Sequence, residues 1–449
     1  MRRITIVGLG IMSFGVSAAS GQVRTEESKI TVVDGEAGDQ FGSAVAVDGG
    51  IMIVGAMTDD DGGSDSGSAY VIDLDSKQVL HKLIASDAAA LKEFGTSVAI
   101  SGNIALVGAP NFGSFDTAAY LFDLTTGNEL FKLNATTLNE FDFFGFSVAI
   151  SGNYAVVGAP IEDTDFFVSG SAYVFDVTTG EMLYKLNASD VVFQQRFGIS
   201  VGVSGDLAIV GAWGVDDNGI NSGAAYVFDL SNGQQIYKLL ASDGQTRDNF
   251  GLGVAISGDR AVVGAPLSDS AGADSGSAYV FDLNTGLELF RMTASDGAAN
   301  GQFGLSVAIS DSRVLIGSRG DADSGAQSGS AYVFDLATGT ELFELVASDA
   351  GAGDELGWSV SLSGDRAYVG AIQDDETASD AGAAYVFDLS NEIGCPADLT
   401  GDGDLNFFDV SAFLAAFGAS DSSADFTGDG EFNFFDVSAF LQAFGEGCP

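Results

Sequence analysis

Oxygen-bearing side chains recur near the C-terminus at a spacing that suits a hard divalent cation. Asp398, Thr400, Asp402, Asp404, Asn406 and Asp409 occupy positions 1, 3, 5, 7, 9 and 12 of one loop, with Gly403 at position 6. Calcium takes six to eight oxygens, and glycine at the sixth position permits the sharp bend that gathers them. The pattern returns 27 residues later as Asp425, Thr427, Asp429, Glu431, Asn433 and Asp436 around Gly430. Two copies at a fixed offset predict two calcium loops, each with threonine at the third position and closed by aspartate rather than glutamate.

A second set of carboxylates runs through the body of the chain. Five positions beyond a recurring glycine stand Asp60, Asp163, Asp216, Asp269 and Asp375, with further acids at Asp59, Asp61, Asp217, Asp321, Asp323 and Asp374. Brought to one face they would form a carboxylate-rich rim able to hold cations or polar glycans. Aspartate also closes turns and stays solvated, and that reading stands beside the first. Acid–base catalysis has weaker support. His81 is the only histidine, and glycoside hydrolysis needs two carboxylates at a defined separation, which many similar aspartates neither identify nor exclude. Trp213 and Trp358, the only tryptophans, are candidates for stacking on sugars or for burial between elements.

The elements that must position these groups are repeated. Phe41-Gly42, Phe94-Gly95, Phe144-Gly145, Phe197-Gly198, Phe250-Gly251, Phe303-Gly304 and Leu356-Gly357 open units 53, 50, 53, 53, 53 and 53 residues apart. Fourteen positions after each comes a second glycine, usually in Gly-Ala-Pro or Gly-Ala-X, and a later Ala-Tyr-Val-Phe-Asp type run supplies a tyrosine. Tight turns such as Gly258-Asp259 and Asn284-Thr285-Gly286 separate short apolar runs, giving four strands per unit. Seven such units predict an all-β, seven-bladed propeller over residues 29–391. The seventh unit stops after Phe387-Asp388-Leu389, short of a fourth strand. Lys29 precedes Phe41 by 12 residues, as Lys238 precedes Phe250, so the N-terminal strand is expected to complete blade seven and close the ring.

Composition changes at Gly394. Each candidate loop runs into an apolar stripe at helical spacing, Val410, Phe413, Leu414 and Phe417, then Val437, Phe440, Leu441 and Phe444, which predicts a small helical domain over 394–449. Cys395 and Cys448 frame it and read as a disulfide, worth about 4 kcal/mol in the loop-entropy account. Met1-Arg2-Arg3, the apolar run from Ile4 to Val16 and the small residues through Gly21 read as a secretory leader over 1–21. That run is shorter than the roughly 20 residues a spanning helix needs. With 63 acidic against 17 basic residues and a formal charge of −46, nucleic acid and anionic membrane surfaces are poor partners. The expected address is secreted or cell-surface, with no integral membrane segment once the leader is removed.

The pairing of Phe-Gly with Gly-Ala-Pro on successive hairpins resembles the FG-GAP repeat of integrin α-subunit propellers. The resemblance implies a seven-bladed propeller used for extracellular binding and adhesion. Calcium-binding integrin-like blades carry an acidic loop between the two marks; this chain has a bare Gly-Asp or Gly-Asn turn there, so the resemblance brings no metal to that position. The duplicated loop and helix, spaced Asp-x-x-x-Asp-Gly-x-x-Asn-x-x-Asp, resembles a dockerin of EF-hand-like build, and Gly394-Cys395 with Gly447-Cys448 resembles a subtype framed by paired cysteines. A dockerin implies two bound calcium ions and a cohesin-like partner met through loop positions ten and eleven, here Phe407, Phe408, Phe434 and Phe435. Packing is the other role open to those four.

The expected function is a non-catalytic binding or adhesion propeller, directed at an extracellular polysaccharide or matrix protein and anchored through its tail to a cohesin-bearing scaffold or cell surface. The alternative is a dockerin-borne polysaccharide-degrading enzyme, a glycoside hydrolase or polysaccharide lyase.

Overall fold

Strands such as Ile104–Ala109 and Tyr154–Ala159 are buried at every residue after the first, the pattern of a strand covered on both faces rather than one. The cover comes from neighbouring sheets. The computed structural model describes residues 22–390 except 112–115, 136–141, 164–167 and 191–193, together with 397, 399–400, 405–419, 424, 426–427 and 432–446. Within the first range lie seven sheets, each built on antiparallel hairpins. Blade one, for example, runs from the axis outward as Phe41–Asp48, Ile51–Ala56, Ser68–Asp73 and Gln78–Leu83. The core is not inside any one blade. Ile53, Ala69 and Val71 of blade one pack with Phe94, Val98 and Tyr120 of blade two, and the other clusters straddle the seams in the same way. This all-β, seven-bladed propeller is the expected architecture.

The two glycine marks meet across each seam. A Cβ on Gly264 would lie 1.8 Å from the carbonyl oxygen of Gly304, and one on Gly55 would lie 2.0 Å from that of Gly95. The second-mark glycine therefore lets the backbone of the next blade's Phe-Gly press against it. Hydroxyls reinforce the approach: Ser147 Oγ donates to Gly198 O at 2.9 Å and Ser200 Oγ to Gly251 O at 2.8 Å. The last seam follows the same rule, with Ser359 Oγ donating to Gly42 O at 2.8 Å and Phe41 bridging to Gly382.

The N-terminal chain serves two blades. Ser28–Ile30 pairs antiparallel with Ala383–Asp388, Ile30 facing Ala384, as the outer strand of blade seven. Just before it, Gln22–Thr25 adds in parallel to the outer edge of blade six, Glu341–Val346, making that sheet five-stranded. The second pairing had no signal in the repeat pattern. Because successive strands alternate direction, the loops after strands two and four of every blade emerge on one face and the tight turns on the other.

In the C-terminal segment two helices are present, α1 (Phe407–Ala419) and α2 (Phe434–Glu446). Phe413 and Phe440 stack with centroids 4.1 Å apart and planes within 4°, and Ala397, Ala424 and the half-buried Val410, Phe417, Val437 and Phe444 surround them. Leu414 and Leu441 are exposed instead. The stripe is therefore narrower than its spacing implied.

Candidate functional site

In blades two to seven the residue after Phe-Gly, or Leu-Gly in blade seven, faces the propeller axis. Thr96, Phe146, Ile199, Leu252, Leu305 and Trp358, with Met57, Glu93 and Arg319, line an axial cavity of about 420 Å³. The frame beneath repeats from blade to blade; the lining does not. Blades three to seven contribute large apolar groups and blade two contributes Thr96, whereas Ser43 of blade one is buried and donates to Gly95 O at 3.3 Å. Arg319 lies 4.7 Å from the centroid of the Trp358 ring and donates from Nε to Gln302 Oε1 at 2.8 Å. Burial, and then the charge of Asp65, push the Glu93 carboxyl up to about 7. Trp358 thus faces the axis, while Trp213 lies under Arg196, 4.9 Å from its centroid. His81 is half-buried on an outer strand, opposite Val71.

The carboxylates on the loop face sort into two kinds. Asp60, Asp163, Asp216, Asp269 and Asp375 each accept the backbone N–H five residues on, at 2.6–3.0 Å. Each has one carboxylate oxygen committed to holding its loop. Their neighbours converge on a tyrosine and a cation. In blade seven, Tyr385 Oη donates to Asp374 at 2.7 Å and to Asp349 at 3.0 Å. Lys29 Nζ lies 2.7 Å from Asp349, 2.8 Å from Asp374 and 2.7 Å from Glu376. Burial opposes the Lys29 charge, but these three partners outweigh it and hold the ammonium above its usual range. Similar clusters join Lys82 to Asp59, Lys132 to Asp87 and Asp116, Lys185 to Glu162, Lys238 to Asp190 and Asp217, and Arg291 to Asp243. The sequence singled out several of these acids and used the spacing of Lys29 and Lys238 to register a strand, but the pairing of the cation with the acids was missed. It was readable: the residue 12 before each Phe-Gly or Leu-Gly is Lys29, Lys82, Lys132, Lys185, Lys238, Arg291 and, in blade six alone, Glu344.

Arg319 and Asp321 are both engaged within the fold. Asp321 is buried and accepts from Tyr332 Oη at 3.0 Å, and Arg319 is held against Trp358.

Six of the twelve calcium-loop residues are described, and they adopt the same arrangement twice. Thr400 Oγ1 donates to Asp409 Oδ1 at 2.8 Å and Asn406 N to Asp409 Oδ2 at 2.9 Å. Thr427 and Asn433 treat Asp436 identically, both at 2.8 Å. Oxygens of positions 3 and 12 are thereby neighbours in each loop, and both closing aspartates are fully buried. Backbone donation from Asn433, against a smaller burial effect, holds Asp436 below the usual carboxylate range. Phe407, Phe408, Phe434 and Phe435 are 68–76% exposed. Asp398, Asp402, Asp404, Asp425, Asp429 and Glu431 lie outside the described residues, as do Cys395, Cys448 and the leader at 1–21.

Comparison with protein families finds the FG-GAP repeat at residues 25–72, 79–122, 128–175, 183–228, 234–281, 288–334 and 340–387. The chain belongs to the FG-GAP repeat family. Five of the six later matches begin on an outer strand, as at residue 79 within Gln78–Leu83, the last begins at residue 340, one ahead of Glu341–Val346, and the first begins at residue 25, just ahead of Ser28–Ile30. A search among curated proteins finds no match.

Proposed function

We propose that this protein is an exported, non-catalytic binding propeller whose ligand enters the axial cavity and whose C-terminal helices attach it to a cohesin-like partner. One observation carries the reading: the lining of an apolar cavity of about 420 Å³ varies blade by blade on a frame that otherwise repeats. Ligand sites favour concave apolar surfaces with a few polar groups at the edge. Trp358 offers an aromatic face, and Arg319, Glu93 and Thr96 offer polar edges, which suits an extracellular polysaccharide or an extended matrix-protein segment.

Attachment rests on the duplicated loops. Their donors are oxygens only, which suits calcium, and the residues that would hold it are Asp398, Thr400, Asp402, Asp404, Asn406 and Asp409, with Asp425, Thr427, Asp429, Glu431, Asn433 and Asp436 in the second copy. Calcium would supply the positive charge that lets these acids share one loop. The exposed phenylalanine pairs at the start of α1 and α2 would form the apolar contact with the partner. A disulfide between Cys395 and Cys448 and removal of a leader ending at residue 21 belong to the same proposal, as does closure of the ring by the N-terminal strand. Among the described residues no helix is long and apolar enough to cross a membrane.

The test is retention of the full chain on a panel of polysaccharides and matrix proteins. One ligand should bind the wild type and bind Trp358→Ala at least ten-fold more weakly, the loss of a buried aromatic anchor. Undiminished binding by that variant would sink the axial reading, and cleavage of the ligand would sink the non-catalytic one.

A further inference from the structure

Blade six breaks the charge rule that the other blades obey. Its loops carry Asp296, Asp321 and Asp323, the counterparts of Asp349, Asp374 and Glu376 in blade seven, all 53 residues apart. Tyr332 Oη donates to Asp296 and to Asp321 at 3.0 Å, as Tyr385 does to its pair. Where blade seven places the Lys29 ammonium among three carboxylates, blade six places the Glu344 carboxylate. Burial, then the charges of Asp296, Asp321 and Asp323, push Glu344 up to about 8.

Two buried polar groups there lack partners. Glu344 is 6% exposed, and among the described residues it forms no ion pair and no side-chain hydrogen bond. Ser330 Oγ is fully buried and also unbonded. In blade five the equivalent hydroxyl, Ser277 Oγ, is reached by Arg291 Nη2 at 3.1 Å, and Arg291 is the counterpart of Glu344. Ser330 therefore faces the place a cation occupies elsewhere. A buried carboxylate among like charges is costly unless a cation joins it.

We infer that Asp296, Asp323 and Glu344 bind one calcium ion, which takes the place of the side-chain ammonium in blade seven. One oxygen from each lies within 4.8 Å of the others. A calcium–oxygen distance of about 2.4 Å lets a single ion touch groups up to about 4.8 Å apart, and the two exposed aspartates leave room for water to complete the shell. The site joins the loop after blade five, the strand-two loop of blade six and the outer strand of blade six. Val23 of the N-terminal arm is the register partner of Glu344. It is separate from the duplicated C-terminal loops.

Residues 390–449 contain phenylalanine but neither tyrosine nor tryptophan, so terbium emission excited at wavelengths that only tyrosine and tryptophan absorb reports the propeller alone. Calcium-stripped full-length protein titrated with terbium should emit through Tyr332, and added calcium should extinguish the signal. Glu344→Lys, which writes the blade-seven arrangement into blade six, should keep its thermal midpoint in chelator and lose emission by roughly ten-fold or more. Glu344→Gln should lower the affinity for competing calcium by on the order of ten-fold. No calcium-sensitive emission in the wild type would overturn the site. So would emission from Glu344→Lys equal to wild type, or unchanged calcium competition in Glu344→Gln.

Discussion

Seam contacts at single glycines make the sharpest stability predictions. Gly264→Ala would push a methyl into the Gly304 carbonyl and should cost about 3 kcal/mol or more in urea unfolding. Gly258→Ala is the control. It meets nothing within 4 Å at φ 55°, and should cost only about 1 kcal/mol, the penalty of the left-handed region. Equal losses would show that backbone conformation, and not the seam, sets the cost. Glu93 predicts a pH dependence. Its carboxyl, near 4.3 when unfolded, sits at about 7 in the fold, so folding favours its protonated form. The stability it contributes is complete below about pH 4 and is lost as pH rises through about 7. Glu93→Gln should therefore flatten the urea midpoint between pH 4 and 8 relative to wild type; parallel profiles would refute this.

Strands and loops show how charge is partitioned among blades. Lys29→Met would leave Asp349, Asp374 and Glu376 without their common cation and should destabilise by about 2 kcal/mol, tempered by partial exposure. Deleting residues 22–30 removes the outer strands of two sheets at once and should lower the thermal midpoint by on the order of 10 °C; an unchanged midpoint would show that the arm is ornamental. Blade count, hairpin order and the strand at Ile30 were legible in the sequence because seven copies of Phe-Gly, Gly-Ala and Tyr fix a register that no single copy could. The parallel strand Gln22–Thr25 was not, since an edge addition uses backbone groups and leaves no side-chain pattern. The axial cavity was half legible. Trp358 stood out by type, but Phe146, Ile199, Leu252 and Leu305 read as ordinary strand residues until the ring set them facing one another. The rim aspartates were visible as a set, and only hydrogen bonds separated the loop-holding Asp60 and Asp216 from the cation-holding Asp59 and Asp217.

For the whole molecule, the proposed sites add to a calcium count. Titration of the full chain should give three equivalents, two from the tail and one from blade six, and Glu344→Lys should give two. Four phenylalanines on one small domain make a second test: alanine at Phe407, Phe408, Phe434 and Phe435 should abolish cohesin capture while leaving helix content unchanged, because all four are exposed. Retained capture would move the contact elsewhere. The pairing of Ile30 with Ala384 also bears on biogenesis. During synthesis the arm leaves the ribosome 354 residues ahead of its partner, on the order of half a minute at about 5–20 residues per second. Through that interval blade seven does not exist, and the early blades carry an open flank. A chain made this way gains by staying unfolded, or chaperoned, until its last strand has been translated.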